Sequence, residues 1–295
     1  MLEPKVYIII LNWNGWKDTI ECLDSIKKLT YINYSIIICD NASSDESKNK
    51  INEWLKNNVN IDATLIVNKT NLGFAGGNNV GIKEALKQMD CKYVWILNND
   101  TEVTPNSLCC LVNKMKTDDK IGICGSKLMY FYNRGKIQGY GGKFNSYLGY
   151  PSTIVKKEQI GNIDYPIGAS MFVSIEFLKN VGLMCEKYFL YFEELDWSLR
   201  GKQNGYKIDC AEDSIIYHKE GASIGSNSKL SSKSMMADYY LQKNKIKVIK
   251  KFYPLHLPLI YLGMLIGVIR RIITGQRKMA KQQLKIIFNS IVCNQ

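Results

Sequence analysis

The chain is predicted to fold as an α/β protein on a mostly parallel, doubly wound sheet flanked by helices, and three features predict it. Short apolar runs alternate with amphipathic stretches of helical length as far as residue 100, which is what strand-helix-strand units produce. Two of those runs stop abruptly at a carboxylate among amides: Cys39 gives way to Asp40 and Asn41, and Leu97 to Asn98-Asn99-Asp100. Runs that are apolar throughout belong to strands covered on both faces, and the ends of such strands open on the crevice where α/β sheets take ligands. Third, Asn71-Leu72-Gly73-Phe74-Ala75-Gly76-Gly77-Asn78-Asn79-Val80-Gly81 is a glycine-rich helix entrance, which lets backbone approach a nucleotide closely.

Residues 6–11 form the first strand. A polar turn follows, then a helix over 17–29 in which Ile20, Leu23 and Ile26 recur at near-helical spacing. Residues 34–39 are the second strand, after which Ser44 or Asp45 caps a helix that runs to about Asn57. Residues 63–67 and 93–97 are the third and fourth strands, with a helix over 73–89 between them. Beyond a helix at 105–115 the pattern loosens, and Gly- and Tyr-rich segments between 130 and 150 predict hairpins. Residues 170–173 are apolar again, and Tyr188-Phe189-Leu190-Tyr191-Phe192 reads as an aromatic strand leading into Glu193-Glu194-Leu195-Asp196. An amphipathic stretch covers 197–202, a strand 215–217, and a polar, small-residue segment, expected to be mobile, 221–234.

Bulk composition narrows the class. A chain of 295 residues with 46% hydrophobic and 22% charged residues can bury a full core, which excludes wholesale disorder. The nine cysteines include no Cys-x-x-Cys pair. With Met1-Leu2-Glu3-Pro4-Lys5 leading straight into the first strand and no signal peptide, they are expected as reduced, mostly buried thiols in the cytosol. Net charge is +12, but from Lys219 onward there are 14 Lys or Arg against 2 acidic residues, which leaves 25 of each sign in the first 218. The body is neutral and the excess lies in the tail, pointing to an anionic partner there, a membrane surface or a nucleic acid.

Asp40 and Asp100 both follow strands and should face one crevice. A carboxylate there can accept hydrogen bonds from a base or ribose, or hold a divalent cation that neutralises a diphosphate; equally, it can close an Asx turn. Glu193, Glu194 and Asp196 crowd like charge beside aromatic walls, which raises at least one pKa and makes a competent general base, and the same residues suit a helix's first turn. Asp196 is assigned to structure and Glu194 to chemistry. His218 at a strand end suits metal ligation or phosphate contact, whereas His256, between Pro254 and Pro258, suits an interface.

Taken in order, the segments Ile10-Leu11-Asn12-Trp13-Asn14-Gly15, Asp40-Asn41-Ala42-Ser43, Asn71 through Asn78, Leu97-Asn98-Asn99-Asp100-Thr101, Gly168-Ala169 and Phe189 through Asp196 resemble the family 2 glycosyltransferases of the GT-A fold, especially the rhamnosyltransferase-like branch. The resemblance implies an inverting, metal-dependent transfer of a sugar from a nucleoside-diphosphate sugar, UDP- or dTDP-linked, to a glycan or lipid-linked acceptor in bacterial or archaeal surface-glycan assembly. It implies that Asp40 binds the nucleobase, that Asn12 and Asn14 line the nucleotide pocket, and that Asn71, Gly73, Gly77, Asn78 and Asn99 belong to the donor site. It places Asp100 at the last position of the family's Asp-x-Asp motif, on Mg2+ or Mn2+, with His218 as a further metal ligand and Glu194 at the position of the base. Two departures stand out: Asn98 replaces the motif's first acidic residue, and Glu194 replaces the more usual Asp, with Glu193 as the substitute base. The competing readings are a non-catalytic nucleotide-sugar-binding module and a nucleotidyltransferase, the latter without the basic phosphate-binding glycine loop it needs; a dehydrogenase lacks its dinucleotide fingerprint.

The expected organisation is a catalytic domain over 1–235, its nucleotide-binding half reaching about 128 and its acceptor-side half starting at 129, followed by a helical, basic and apolar extension over 236–295. Residues 252–269 carry no formal charge and lie between Lys250-Lys251 and Arg270-Arg271. That length, its prolines and the positive charge at both ends disfavour a simple span. An element lying on an anionic membrane surface is expected instead, attracted by Lys250, Lys251, Arg270 and Arg271, with the enzyme peripheral on the inner face of the cell membrane and no nucleic acid bound.

Overall fold

A computed structural model of the chain describes residues 3–219 and 234–292. The first half alternates as the sequence predicts: β1 (Lys5–Asn12), α1 (Trp16–Ile26), β2 (Tyr34–Asp40), α2 (Ser47–Asn57), β3 (Ala63–Val67), α3 (Gly73–Ala85), β4 (Cys91–Asn98), β5 (Thr101–Val103) and α4 (Ser107–Met115). Then come β6 (Ile121–Tyr130), β7 (Asn133–Gly139), β8 (Gly141–Asn145), β9 (Tyr150–Ile154), β10 (Ser170–Ser174), α5 (Ile175–Val181), α6 (Glu193–Gln203) and β11 (Lys207–His218). Three helices close the chain, α7 (Met235–Phe252), α8 (Leu257–Ile273) and α9 (Arg277–Val292).

The main sheet runs β3-β2-β1-β4-β10-β6-β11-β5, with β7 added against β6. The first four strands are mutually parallel. β10 enters antiparallel between β4 and β6, and β11 returns parallel to β6, so the sheet is mixed but mostly parallel. Alternate residues of β1 serve opposite faces. Val6, Ile8 and Ile10 join the core built with α1, α2 and α4, while Tyr7 and Ile9 join the one built with α3, α5 and Trp197 of α6. Coverage on both faces is why the strand reads as an unbroken apolar run rather than an alternating one.

Register then fixes what happens at the edge. Asn12 pairs with Asp40 and Leu11 with Asn98, so the polar ends of β1, β2 and β4 emerge side by side.

Three expectations need correction. Residues 188–192 are not a strand: Glu186–Tyr188 is a single 3-10 turn, and Phe189, Tyr191 and Phe192 have φ of 62°, 67° and 74°. Bulky side chains in that region cost on the order of 1–3 kcal/mol each. Aromatic content imitated strand propensity where the backbone in fact turns. Second, β6 was hidden because Gly122, Gly125 and Ser126 dilute its apolar run; the Phe177 ring fills the space over Gly122, and Pro166 packs over Gly125. Third, neither Ser44 nor Asp45 is the capping residue of α2. Glu46 is, without a side-chain bond, although Asp45 Oδ1 accepts from Ser47 N at 3.0 Å.

Chain contacts divide the molecule into two units, one comprising Met1–Lys143, Thr153–Phe189 and Glu193–Ser223, the other Phe144–Ser152, Leu190–Phe192 and Ile224–Gln295. In the second, α7 opens with the Ser234 hydroxyl accepting from Ala237 N. Arg271 forms a bidentate pair with Asp238 at 2.6 and 2.7 Å. His256 stacks on Tyr147 at 4.1 Å. Ile260, Met264 and Val268 form the buried row of α8.

Candidate functional site

The strand ends of β1, β2 and β4 are joined by one hydrogen-bonded chain. Asp40, 1% exposed, accepts from Asn12 Nδ2 at 2.7 Å through Oδ2 and from Ser43 N at 3.0 Å through Oδ1. Asn12 Oδ1 in turn accepts from the Thr19 hydroxyl at 2.8 Å, and that oxygen accepts from Asn99 Nδ2 at 3.0 Å. Asp40 therefore closes an Asx-type turn, and each of its carboxylate oxygens retains acceptor capacity beyond these bonds. Asn14 stands in the left-handed region at φ 51°, its N donating to Ser43 Oγ and its Oδ1 accepting from Ser44 N at 2.8 Å. A short polar side chain tolerates that conformation.

The glycine-rich segment is held by Asn71 and Asn41. Asn71 Oδ1 accepts from Gly73 N at 2.8 Å and from Asn41 Nδ2 at 2.9 Å. Gly73 has φ 72° and lies against the Phe189 carbonyl, to which Phe74 N donates at 2.7 Å. A Cβ at Gly77 would overlap Leu11 and meet the Asn41 amide. Asn78 is buried and donates to the Phe74 carbonyl, with its Oδ1 unpartnered. Close packing thus accounts for both glycines, and within the segment an open acceptor atom is found at Asn78.

Asp100 and His218 meet although they are far apart in sequence. β5 and β11 pair Thr101 with His218, and Lys219 N donates to the Asp100 carbonyl at 3.0 Å. The Lys219 ammonium is itself held by Asp18 and Glu21 of α1. His218 Nδ1 lies 3.0 Å from Gln138 Oε1. An amide oxygen only accepts, so Nδ1 donates to it, and in the neutral imidazole Nε2 then presents a lone pair. Nε2 is 3.3 Å from Asp100 Oδ1, a buried oxygen with no hydrogen-bond partner. Two lone-pair donors facing each other in a buried place are satisfied by a cation, so these residues fit a divalent metal. Among the described residues no group of three or more His, Cys, Asp or Glu gathers. Such a donor set needs substrate oxygens to complete it, as Mg2+ sites with phosphates have.

Glu194 lies in the first turn of α6, half-buried, and burial pushes its carboxyl up to about 7. Helix N-terminal amides favour the charged form, so burial is the stronger influence. Tyr165 is pushed well above its ordinary value by its own burial and then by the neighbouring Glu194 charge. Asp196 is committed to structure: it accepts from Arg200 at 2.7 Å and from the Tyr188 hydroxyl at 3.0 Å, while Arg200 also donates to the Val181 and Leu183 carbonyls. Glu193 is buried.

Sequence reasoning missed Thr19, Gln138, Tyr165 and Lys219. None lies in a motif; Gln138 and Lys219 reach their partners only through long-range pairing of strands and helices, and Thr19, though near Asn12 in sequence, meets Asn99 the same way. The segment over 221–234 that the sequence marks as mobile falls, up to residue 233, outside the described residues.

A mixed, mostly parallel sheet flanked by helices, with the polar ends of β1, β2 and β4 side by side, defines a GT-A-like α/β protein. The glycosyl transferase family 2 model matches residues 7–182, and the chain belongs to that family. The chain is 24% identical over 207 residues to the low-salt glycan biosynthesis hexosyltransferase Agl10 of Haloferax volcanii, covering 68% of this chain and 62% of that one. It is 29% identical over 97 residues to the UDP-Glc:alpha-D-GlcNAc-diphosphoundecaprenol beta-1,3-glucosyltransferase WfgD of Escherichia coli, covering 32% of this chain and 37% of that one. The solved structure of GalNAc-T7 with UDP, GalNAc and Mn2+ superposes with a TM-score of 0.69 at 19% identity, covering 95% of this chain and 55% of that one, a likeness of fold. The chain thus spans less than two thirds of the length of each of these three proteins.

Proposed function

We propose that this protein is an inverting, metal-dependent glycosyltransferase that moves a sugar from a nucleoside-diphosphate sugar to an acceptor hydroxyl. The observation that carries the reading is a half-buried carboxyl held at about 7 in the same structural unit as the Asp40 and Asp100 strand ends. A base poised near neutral pH is what deprotonation of an alcohol needs in a single displacement. Glu194 takes the proton of the acceptor hydroxyl as its oxygen attacks the anomeric carbon. The bond from that carbon to the diphosphate oxygen breaks, and the nucleoside diphosphate leaves without a covalent intermediate. Asp40, set by Asn12 and Ser43, orients the nucleoside. Asp100 and His218 would hold Mg2+ or Mn2+, which when bound neutralises charge on the departing diphosphate.

The relatives' names support a place in surface-glycan assembly on a lipid-linked acceptor, since the Escherichia coli relative acts on a diphosphoundecaprenol-linked sugar by its name. A UDP- or dTDP-linked hexose or deoxyhexose is the donor class proposed, in keeping with the rhamnosyltransferase-like motifs. The test is release of free nucleoside diphosphate from a panel of nucleotide sugars with Mn2+ and a diphosphate-lipid acceptor. Donor-dependent thermal stabilisation with acceptor-dependent release is expected. Stabilisation without release would leave a nucleotide-sugar-binding module, and release of pyrophosphate instead would indicate nucleotidyl transfer.

A further inference from the structure

We infer that the C-terminal helices α8 and α9 form a docking surface for an anionic lipid bilayer, on which they lie rather than cross. Residues Pro254–Ile273 make a 20-residue stretch of mean hydropathy 1.5, of which only 17% is buried. Helix α8 is apolar all the way round: Ile260, Met264 and Val268 face inward, yet Leu262, Ile266 and Ile269 are 55%, 59% and 59% exposed. Helix α9 adds Phe288 and Ile291, also exposed. A helix apolar on its outward side as well is suited to an apolar environment rather than to water.

Charge selects which apolar environment. Arg270, Arg277, Lys278, Lys281 and Lys285 are all exposed, and among the described residues none of them is paired with a carboxylate. Arg271, expected from the sequence to face lipid, is instead turned inward onto Asp238. A second copy of this chain would bring the same basic rim against itself, which like charge disfavours. An anionic bilayer, such as a cytoplasmic leaflet presents, complements both the rim and the apolar face.

Lying flat follows from burial and packing, since by length alone the 20 residues Pro254–Ile273 would match a hydrocarbon core of about 30 Å. One of its sides is already occupied by the Ile260, Met264 and Val268 packing, and Gln283 Nε2 of α9 donates to the Met264 carbonyl at 3.0 Å. Moving α8 alone into a bilayer would strip that contact.

The full chain should co-sediment with vesicles of phosphatidylcholine mixed with phosphatidylglycerol, weakly with phosphatidylcholine alone, and less in high salt. The triple variant Lys278→Glu, Lys281→Glu, Lys285→Glu should lose the anionic preference, with about a fivefold fall in partitioning for each positive charge removed. Leu262→Asp with Ile266→Asp should lose binding to both vesicle types, while thermal melts matching the parent show that the fold survives. Ile266→Trp should be quenched, relative to the parent, by lipids brominated near the headgroup. Quenching strongest with bromine at the chain end would overturn the flat orientation. A parent chain that stays in the supernatant with anionic vesicles at low salt would overturn the surface itself, as would a concentration-dependent dimer abolished by Ile266→Asp. Nucleoside diphosphate release with a soluble acceptor, measured on the same variants, keeps this outcome separate from the transferase reading.

Discussion

Glu194→Gln should lower turnover and raise stability together, a pairing that loss of structure does not produce. The rise of the carboxyl from 4.5 to about 7 comes mainly from burial. At about 1.4 kcal/mol per unit, that shift costs the folded state at most about 3 kcal/mol once the group is ionised, and less where solvent screens it. The sign is set by proton counting: the folded chain holds this proton more tightly than the unfolded chain does. The cost is therefore absent below about pH 4.5, grows between about 4.5 and 7, and is constant above. A neutral amide of the same size removes it, so the variant should melt above the parent at about pH 8 and with it at about pH 4, each relative to buffer-matched controls. Its turnover should fall by about 10²-fold or more while donor binding, read by thermal shift, persists. The parent itself should lose turnover about tenfold per pH unit below 7, since only the ionised carboxylate can act as base. Retained turnover in Glu194→Gln, together with a large loss in Glu193→Gln, would refute the assignment and move the base one residue back.

Asp100→Ala should abolish Mn2+-dependent transfer, because Asn98 and Asn99 are neutral and the Asn99 amide is already engaged with Thr19 at 3.0 Å; unchanged turnover at saturating Mn2+ would rule out this metal site. Gln138→Leu frees the His218 tautomer, so Mn2+ affinity measured by calorimetry or by the bound-ion electron resonance signal should fall about 10- to 100-fold. Gln138→Glu still accepts from Nδ1 and should restore it. Equal losses in both Gln138 variants would show that the residue only packs.

Much of the architecture was written locally. Residues 36–39 and 93–97 are apolar at every position because helices cover both faces, and this one signature yields strand identity, parallel pairing and the edge where the strands end. Where the sheet changes direction the signature weakens. β6 carries two glycines under aromatic and proline neighbours, and β11 shifts register between Ala211 and Ile215, so neither shows a clean period. The segment 188–192 failed in the opposite sense, having strand-like composition and three left-handed residues. Composition reports what a side chain can bury, and only tertiary contacts report which φ its backbone must accept.

The candidate site divides along the same line. Asp40 and Asp100 could be singled out because each stands at the end of a recognisable apolar strand, whereas Glu194 was singled out behind an aromatic segment that proves to be a turn, and lies in the first turn of α6. What tunes them was not legible. Gln138 reaches His218 across 80 residues, and the burial that raises the Glu194 carboxyl is made by the folded chain. The same holds for Asn12, which the resemblance placed in the nucleotide pocket: its side chain, 0% exposed, is bonded to Asp40, Ser43 and Thr19 and so holds Asp40. A ligand-binding carboxylate at a strand end needs such a partner, since an exposed Asp would sample several rotamers and lose preorganisation. Asn12 and Asp40 are both buried, at 0% and 1% exposure, so it is the hydrogen bond from the amide to the carboxylate, not burial, that shows which side chain orients the other.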